Sequence, residues 1–210
     1  MEVTEDPNFY DHEIERLERR IATMPNEANP VVFYGSSSLR LWVRMTEDLS
    51  PMHPLNLGFG GSSFLWCMHH FHRLFQSINP KEIVLYVGDN DLGRGTGREE
   101  LMERFHQLIA MIWERYPKIM IHYISIKPSP ARDYLIPTIK WVNRSIQSYI
   151  DEHPHMKFIN IYDGMLENGH HPNTLYYLSD LLHLNKRGYV VWKEILRDHF
   201  HLGQANALPK

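Results

Sequence analysis

The chain has 210 residues, 43% of them hydrophobic and 22% charged, with a formal net charge of −3. These figures fit one globular domain over 1–210 with a full buried core. They give no concentrated basic stripe of the kind that binds nucleic acid, and the single cysteine excludes an internal disulfide framework.

In chain order, residues 1–10 read as a peripheral end, and Glu13 to Ala22 as a charged amphipathic helix. Val31 to Tyr34 is a short, β-rich apolar strand that ends at Gly35. A weaker strand lies at Pro54 to Leu57, before Gly58. Ser63 to Ser77 is a helix carrying Phe64, Trp66, Cys67, Phe71, Leu74 and Phe75. Ile83 to Val87 is again a strand, and Glu99 to Tyr116 a helix with Leu101, Phe105, Leu108, Ile109, Ile112 and Trp113 at helical spacing. The strand Ile119 to Ile124 stops before Lys127-Pro128-Ser129-Pro130. The helix Ile139 to Ile150 and the strand Phe158 to Ile161 follow. A long connection over 163–182 leads to the last helix, Lys186 to Phe200, opened at Asn185 and closed by Gly203, with 203–210 peripheral. Near-continuous apolar strands alternating with helices predict a parallel sheet covered on both faces, an α/β/α three-layer sandwich with right-handed crossovers.

In an open sheet of this kind ligands bind beyond the carboxyl ends of the strands. Three polar segments fall there: Gly35 to Ser38, Gly58 to Ser62, and Gly88 to Asp91. A serine hydroxyl needs a base within hydrogen-bond reach, and the base needs an orienting partner. His183 is the candidate base. Asp180, three residues before it, can reach back to Nδ1 if the stretch turns, leaving Nε2 free to take a serine proton. The Asn90 amide, the Gly61 N–H and the N–H of the nucleophile are candidate oxyanion donors. Gly61 has no side chain to block a substrate oxygen.

These segments resemble the four blocks of the SGNH hydrolases, the GDSL esterase/lipase family: GSSSLRLW at 35–42, NLGFGGSS at 56–63, GDND at 88–91 and DLLHLN at 180–185. The Gly60-Gly61 pair and the Gly-x-Asn spacing are similar to those of platelet-activating-factor acetylhydrolase catalytic subunits. ISIKPSPAR at 124–132 and HLN-x-x-GY-x-x-W ending at Trp192 are similar to a bacterial subgroup. The resemblance implies a flavodoxin-like sheet of five parallel strands. It also implies Ser37 as nucleophile, Gly61 and Asn90 completing the oxyanion hole, His183 as base and Asp180 as its orienting acid. Ser36 stands where the family has an aspartate, which leaves Ser36 and Ser38 as rival nucleophiles and predicts modest activity.

The expected function is hydrolysis of a small ester, such as an acetyl group on a carbohydrate, through an acyl-enzyme and without metal or organic cofactor. The alternatives are a lysophospholipase or thioesterase on longer acyl chains, and a catalytically silent binding module on the same fold. Trp42, Trp66, Trp141 and Tyr176 suit either sugar stacking or core packing. A dinucleotide-binding enzyme fits worse, because no G-x-G-x-x-G follows the first strand. The histidines at 69, 70 and 72 and at 199 and 201 read as solvated helix-surface residues rather than metal ligands. Cys67 reads as a small buried filler. The acidic start without a signal-like apolar run, and the lack of any apolar run near ~20 residues, predict a cytoplasmic protein with no membrane span. Partners are expected to be small-molecule esters, and a dimer is possible.

Overall fold

A computed structural model of the protein describes residues 9–25 and 29–203. In chain order its elements are α1 (Asp11–Ala22), β1 (Val31–Gly35), α2 (Ser37–Arg40), α3 (Met45–Asp48), β2 (Pro54–Gly58), α4 (Phe64–Phe75) and β3 (Glu82–Tyr86). They continue with α5 (Asp89–Gly93), α6 (Arg98–Arg115), β4 (Met120–Ile124), α7 (Ile136–Asp151), β5 (Met156–Ile159) and α8 (Lys186–His199). The five strands form one parallel sheet in the order β2-β1-β3-β4-β5. The chain is thus the three-layer sandwich its strand pattern implies.

The period-2 alternation of strand side chains sorts the core into two halves. Val32, Tyr34, Leu57, Ile83, Leu85, Ile121 and Tyr123 point to the face covered by α1, α4, α6 and α7, whose Phe71, Phe75, Phe105, Leu108 and Ile146 are buried there. Phe33, Val84, Tyr86, Ile124 and Ile159 point to the other face, against Trp42, Leu49, Trp192 and Leu196. Cys67 is a buried filler on the first side.

Three expectations need correction. The fifth strand begins at Met156 and ends at Ile159, because Ser125 Oγ accepts from the N–H groups of Ile161 and Tyr162 and turns the chain there. Tyr10 is not peripheral: its ring is buried and meets Phe59 and Trp66 edge-on. Residues 1–8 and 204–210 lie outside the described residues. The last helix stops at His199, with His201 at φ 53, before the chain reaches Gly203. Its start is as expected: Asn185 Oδ1 accepts from the N–H groups of Arg187 and Gly188. No helix among the described residues is long and apolar enough to cross a membrane.

Candidate active site

The turn after β1 depends on Gly35. At φ +140, a Cβ there would lie 2.0 Å from the Tyr86 carbonyl oxygen of β3, so only glycine permits this approach. Ser36 N–H then donates to Tyr86 O at 2.9 Å, and α2 begins with Ser37 in its first turn. Two neighbours pin the turn from outside. Asn56 Nδ2 donates to Leu39 O at 2.7 Å, and Tyr189 Oη, from α8, donates to Ser38 O at 2.9 Å. Among the three serines, it is Ser37 whose Oγ lies within hydrogen-bond distance of His183 Nε2, at 3.1 Å.

His183 lies in a turn that Asp180 builds. Asp180 Oδ1 accepts from the N–H groups of Leu182 (3.0 Å) and His183 (2.9 Å), and Oδ2 lies 2.7 Å from His183 Nδ1. A carboxylate can only accept, so Nδ1 carries the proton and Nε2 faces Ser37 as the acceptor. Burial pushes the Asp180 carboxyl up. The His183 hydrogen bond and the two backbone N–H groups outweigh it and hold the group down at about 2. Leu181 completes the turn at φ 57, held by its N–H to Leu178 O and by Ala131 N–H to its own carbonyl.

The expected oxyanion donors follow β2 and β3, the two strands that pair with β1. Gly61 has φ +63, and a Cβ there would meet Tyr10 Oη at 3.1 Å. Its neighbour Gly60 donates its N–H to Glu13 Oε2 at 2.8 Å, so α1 braces the loop. Asn90 sits in α5. Its Nδ2 donates one hydrogen to Ser62 O at 3.0 Å, which ties the two donor loops together and leaves the second amide hydrogen for a ligand. The structure therefore brings Ser37, Asp180 and His183 into one hydrogen-bonded chain. Asn90 and Gly61 are joined to each other through Ser62.

Several residues that support this arrangement were missed in the sequence. Tyr10 and Glu13 back the glycine loop. Lys127 Nζ donates to Asp89 Oδ2 at 2.6 Å, and Arg132 reaches both the Asp89 carboxylate and Asn90 Oδ1. The sequence signal for Lys127 and Arg132 was the ISIKPSPAR segment, which holds both but does not say what they meet. Asp91 is buried, accepts from Phe64 N–H through both oxygens at 3.2 Å and faces Arg104 at 3.4 Å. Burial pushes its carboxyl up to about 6, against the pull of that N–H and Arg104.

Of the aromatic residues considered for sugar stacking, Trp42 and Trp66 are buried in the core, and Trp141 lies under Arg98 at 4.5 Å. His70 is not solvated as expected: it is buried and stacks on Trp66. Among the described residues, no group of three or more His, Cys, Asp or Glu side chains is placed to hold a metal ion. A cavity of about 820 Å³, lined by Val31, Pro54, Leu55, Glu82 and Phe200, opens at the amino ends of the strands, away from Ser37.

The model of the GDSL-like lipase/acylhydrolase family matches residues 31–191, which span all four sequence blocks. The alpha1 subunit of platelet-activating factor acetylhydrolase IB from Bos taurus is 27% identical over 186 residues, covering 81% of this chain and 75% of its own. A GDSL-like lipase from Bacteroides thetaiotaomicron superposes with a TM-score of 0.73 at 20% identity, over 90% of this chain and 97% of its own. A family 3 carbohydrate esterase from Clostridium thermocellum gives a TM-score of 0.62 at 15% identity, over 81% of this chain and 94% of its own. The two structural likenesses speak for the fold.

Proposed function

The chain belongs to the GDSL-like lipase/acylhydrolase family and is an ester hydrolase, and on that premise we propose that it is a serine esterase acting on small esters through an acyl-enzyme. The observation that carries this reading is the unbroken chain from Asp180 Oδ2 to His183 Nδ1 at 2.7 Å and from His183 Nε2 to Ser37 Oγ at 3.1 Å.

In this scheme Ser37 Oγ attacks the ester carbonyl carbon as its proton passes to His183 Nε2. The carbonyl electron pair moves onto oxygen, and the Gly61 N–H, the Ser37 N–H and the free Asn90 amide hydrogen meet the charge. The tetrahedral intermediate collapses, the bond to the alcohol oxygen breaks, and His183 gives its proton to that oxygen. Water, deprotonated by His183, then attacks the acyl carbon; the bond to Ser37 Oγ breaks, the acid leaves, and His183 returns the proton to Ser37 Oγ. Asp180 keeps the imidazole in one tautomer throughout.

We read the substrate as carrying a short acyl chain. Gly61 lies against Tyr10 Oη and the Arg94 guanidinium, and Asn90 against Arg132, so the surroundings of the oxyanion donors are polar and cationic. The bovine relative is named an acetylhydrolase, and one structural neighbour a carbohydrate esterase. A second reading, longer acyl chains, draws on the exposed side chains of Leu178 and Leu181 beside His183. A chain-length series of p-nitrophenyl esters separates the two. The first reading expects kcat/KM to peak at acetate or butyrate, and a steady climb to long chains would favour the second.

The test of the mechanism is labelling by a fluorophosphonate probe with peptide mapping, beside p-nitrophenyl acetate turnover. Labelling at Ser37 is expected to vanish in Ser37→Ala. Turnover should fall on the order of 10⁴-fold or more in Ser37→Ala and His183→Ala. Unchanged turnover in a folded Ser37→Ala protein would sink the assignment. A folded wild-type protein that is neither labelled nor active would favour the silent binding module.

A further inference from the structure

The segment 125–132 touches both halves of the site without supplying any of the groups used above. Its Ala131 N–H donates to Leu181 O at 3.1 Å, and Tyr177 Oη donates to its Pro128 carbonyl, so it braces the turn that carries His183. Its two cations go to the other half. Lys127 Nζ donates to Asp89 Oδ2 at 2.6 Å, with 1% of its side chain exposed. Arg132 Nη1 donates to Asp89 O at 2.7 Å and to the Asp89 carboxylate, while Nη2 donates to Asn90 Oδ1 at 3.3 Å. The Arg132 side chain is 15% exposed.

Two features single out this cluster. First, charge does not balance: two cations share one carboxylate, which leaves one positive charge directly behind Asn90. Burying such a set is costly and adds little to stability by itself. The guanidinium packs against Gly93 all the same, where a Cβ would lie 2.6 Å from Arg132 Cζ. Second, Asn90 is held at both ends by groups of fixed polarity. Arg132 can only donate, so it demands Oδ1, and the Ser62 carbonyl can only accept, so it demands Nδ2. A flipped amide would lose both bonds and turn an oxygen, rather than an N–H, toward the reacting carbonyl.

We propose that Arg132 is a positioning residue for the oxyanion donor: it locks the Asn90 amide in its donating orientation. The inference rests on Asn90 acting as an oxyanion donor. The benefit belongs to the transition state, where the oxygen becomes charged, so it appears in kcat rather than KM.

The test is a double-mutant cycle on p-nitrophenyl acetate hydrolysis with Asn90→Ala, Arg132→Gln and the pair. Arg132→Gln is expected to lower kcat about 10- to 100-fold with KM within about twofold. In the Asn90→Ala background it should cost less than about threefold more, because the residue acts through Asn90. Arg132→Lys keeps the charge beside Asp89, but its single ammonium cannot span Asp89 and Asn90 together. It should fall between wild type and Arg132→Gln, and it serves as the arginine variant of the cycle if Arg132→Gln does not fold. A full loss repeated in the Asn90→Ala background, or an effect confined to KM, overturns the inference. If Asn90→Ala is damaging while both arginine variants act like wild type, the inference fails and the oxyanion reading stands. If Asn90→Ala itself is without effect, both fall.

Discussion

Asp180 divides its work between two oxygens, one fixing the backbone turn and the other fixing the imidazole. Its carboxyl, held down at about 2, stays charged through the range in which an esterase is assayed. A folded-state value below the ordinary one of about 3.9 means that its stabilisation is present above that value and is lost as the pH falls toward 2. Asp180→Asn keeps the size of the side chain but not its acceptor-only character. An amide nitrogen facing Nδ1 would demand the other tautomer and place a proton on Nε2, where Ser37 needs an acceptor. The expected result is a kcat lower by about 10³- to 10⁴-fold with KM little changed. A loss under tenfold, measured on the same ester, would show that the imidazole orients itself without the acid. This residue pair was legible in the sequence, because three residues is the reach of a single turn. Which of Ser36, Ser37 and Ser38 meets His183 was not legible from the residues alone: it depends on how α2 starts, and Gly35 and Tyr86 decide that from different strands.

The elements readable beforehand were those with enough residues to show a period, such as α4, α6, α7, α8, β1, β3 and β4. The four-residue α2 and five-residue α5 show none, yet they carry Ser37 and Asn90. The braces Tyr10, Glu13, Lys127 and Arg132 were hidden for another reason. Each acts on a partner 38 or more residues away, and composition does not say which charge meets which. Asp91 of α5 is such a joint, since it takes the N–H of Phe64 and so seats the start of α4 beside Gly88. Its carboxyl, raised by burial to about 6, binds a proton more tightly in the folded chain than in the unfolded one. The stability it contributes is therefore complete below the ordinary carboxylate value and declines as the pH rises from about 4 to about 6, then levels off. A displacement from about 3.9 to about 6 corresponds to roughly 3 kcal/mol of pH-dependent stability. Urea denaturation midpoints at pH 4, 5, 6 and 7 should show this decline in the wild type and a flatter profile in Asp91→Asn. Parallel profiles would assign the decline to other groups.

Across the whole molecule the two faces of the sheet are unequal. Four helices of 12 to 18 residues cover one face, whereas α8 is the one helix of such length among the described residues on the other. α8 is also the element that holds the turn carrying Ser37, through Tyr189 Oη on Ser38 O and through Tyr189 stacked on Trp42 at 5.5 Å. Trp192 anchors α8 on the sheet, edge-on to Tyr86, whose carbonyl receives the N–H of Ser36. Phe75 on the opposite face is equally buried but packs on Tyr34, Phe71 and Tyr116, none of which bonds to the site residues. Trp192→Ala and Phe75→Ala should therefore cost similar stability, about 3–5 kcal/mol each, since both delete a large buried ring. At roughly 2–4 °C per kcal/mol for a chain of this size, each should lower Tm by about 10 °C while keeping one cooperative transition, because both cores share the same five strands. Activity should part them. Measured well below either Tm, Phe75→Ala is expected to keep kcat within about twofold, whereas Trp192→Ala loosens α8 and with it the Ser38 carbonyl contact, and kcat falls by tenfold or more. Equal kcat losses in the two variants would mean that the site depends on the stability of the sheet as a whole, not on the α8 layer.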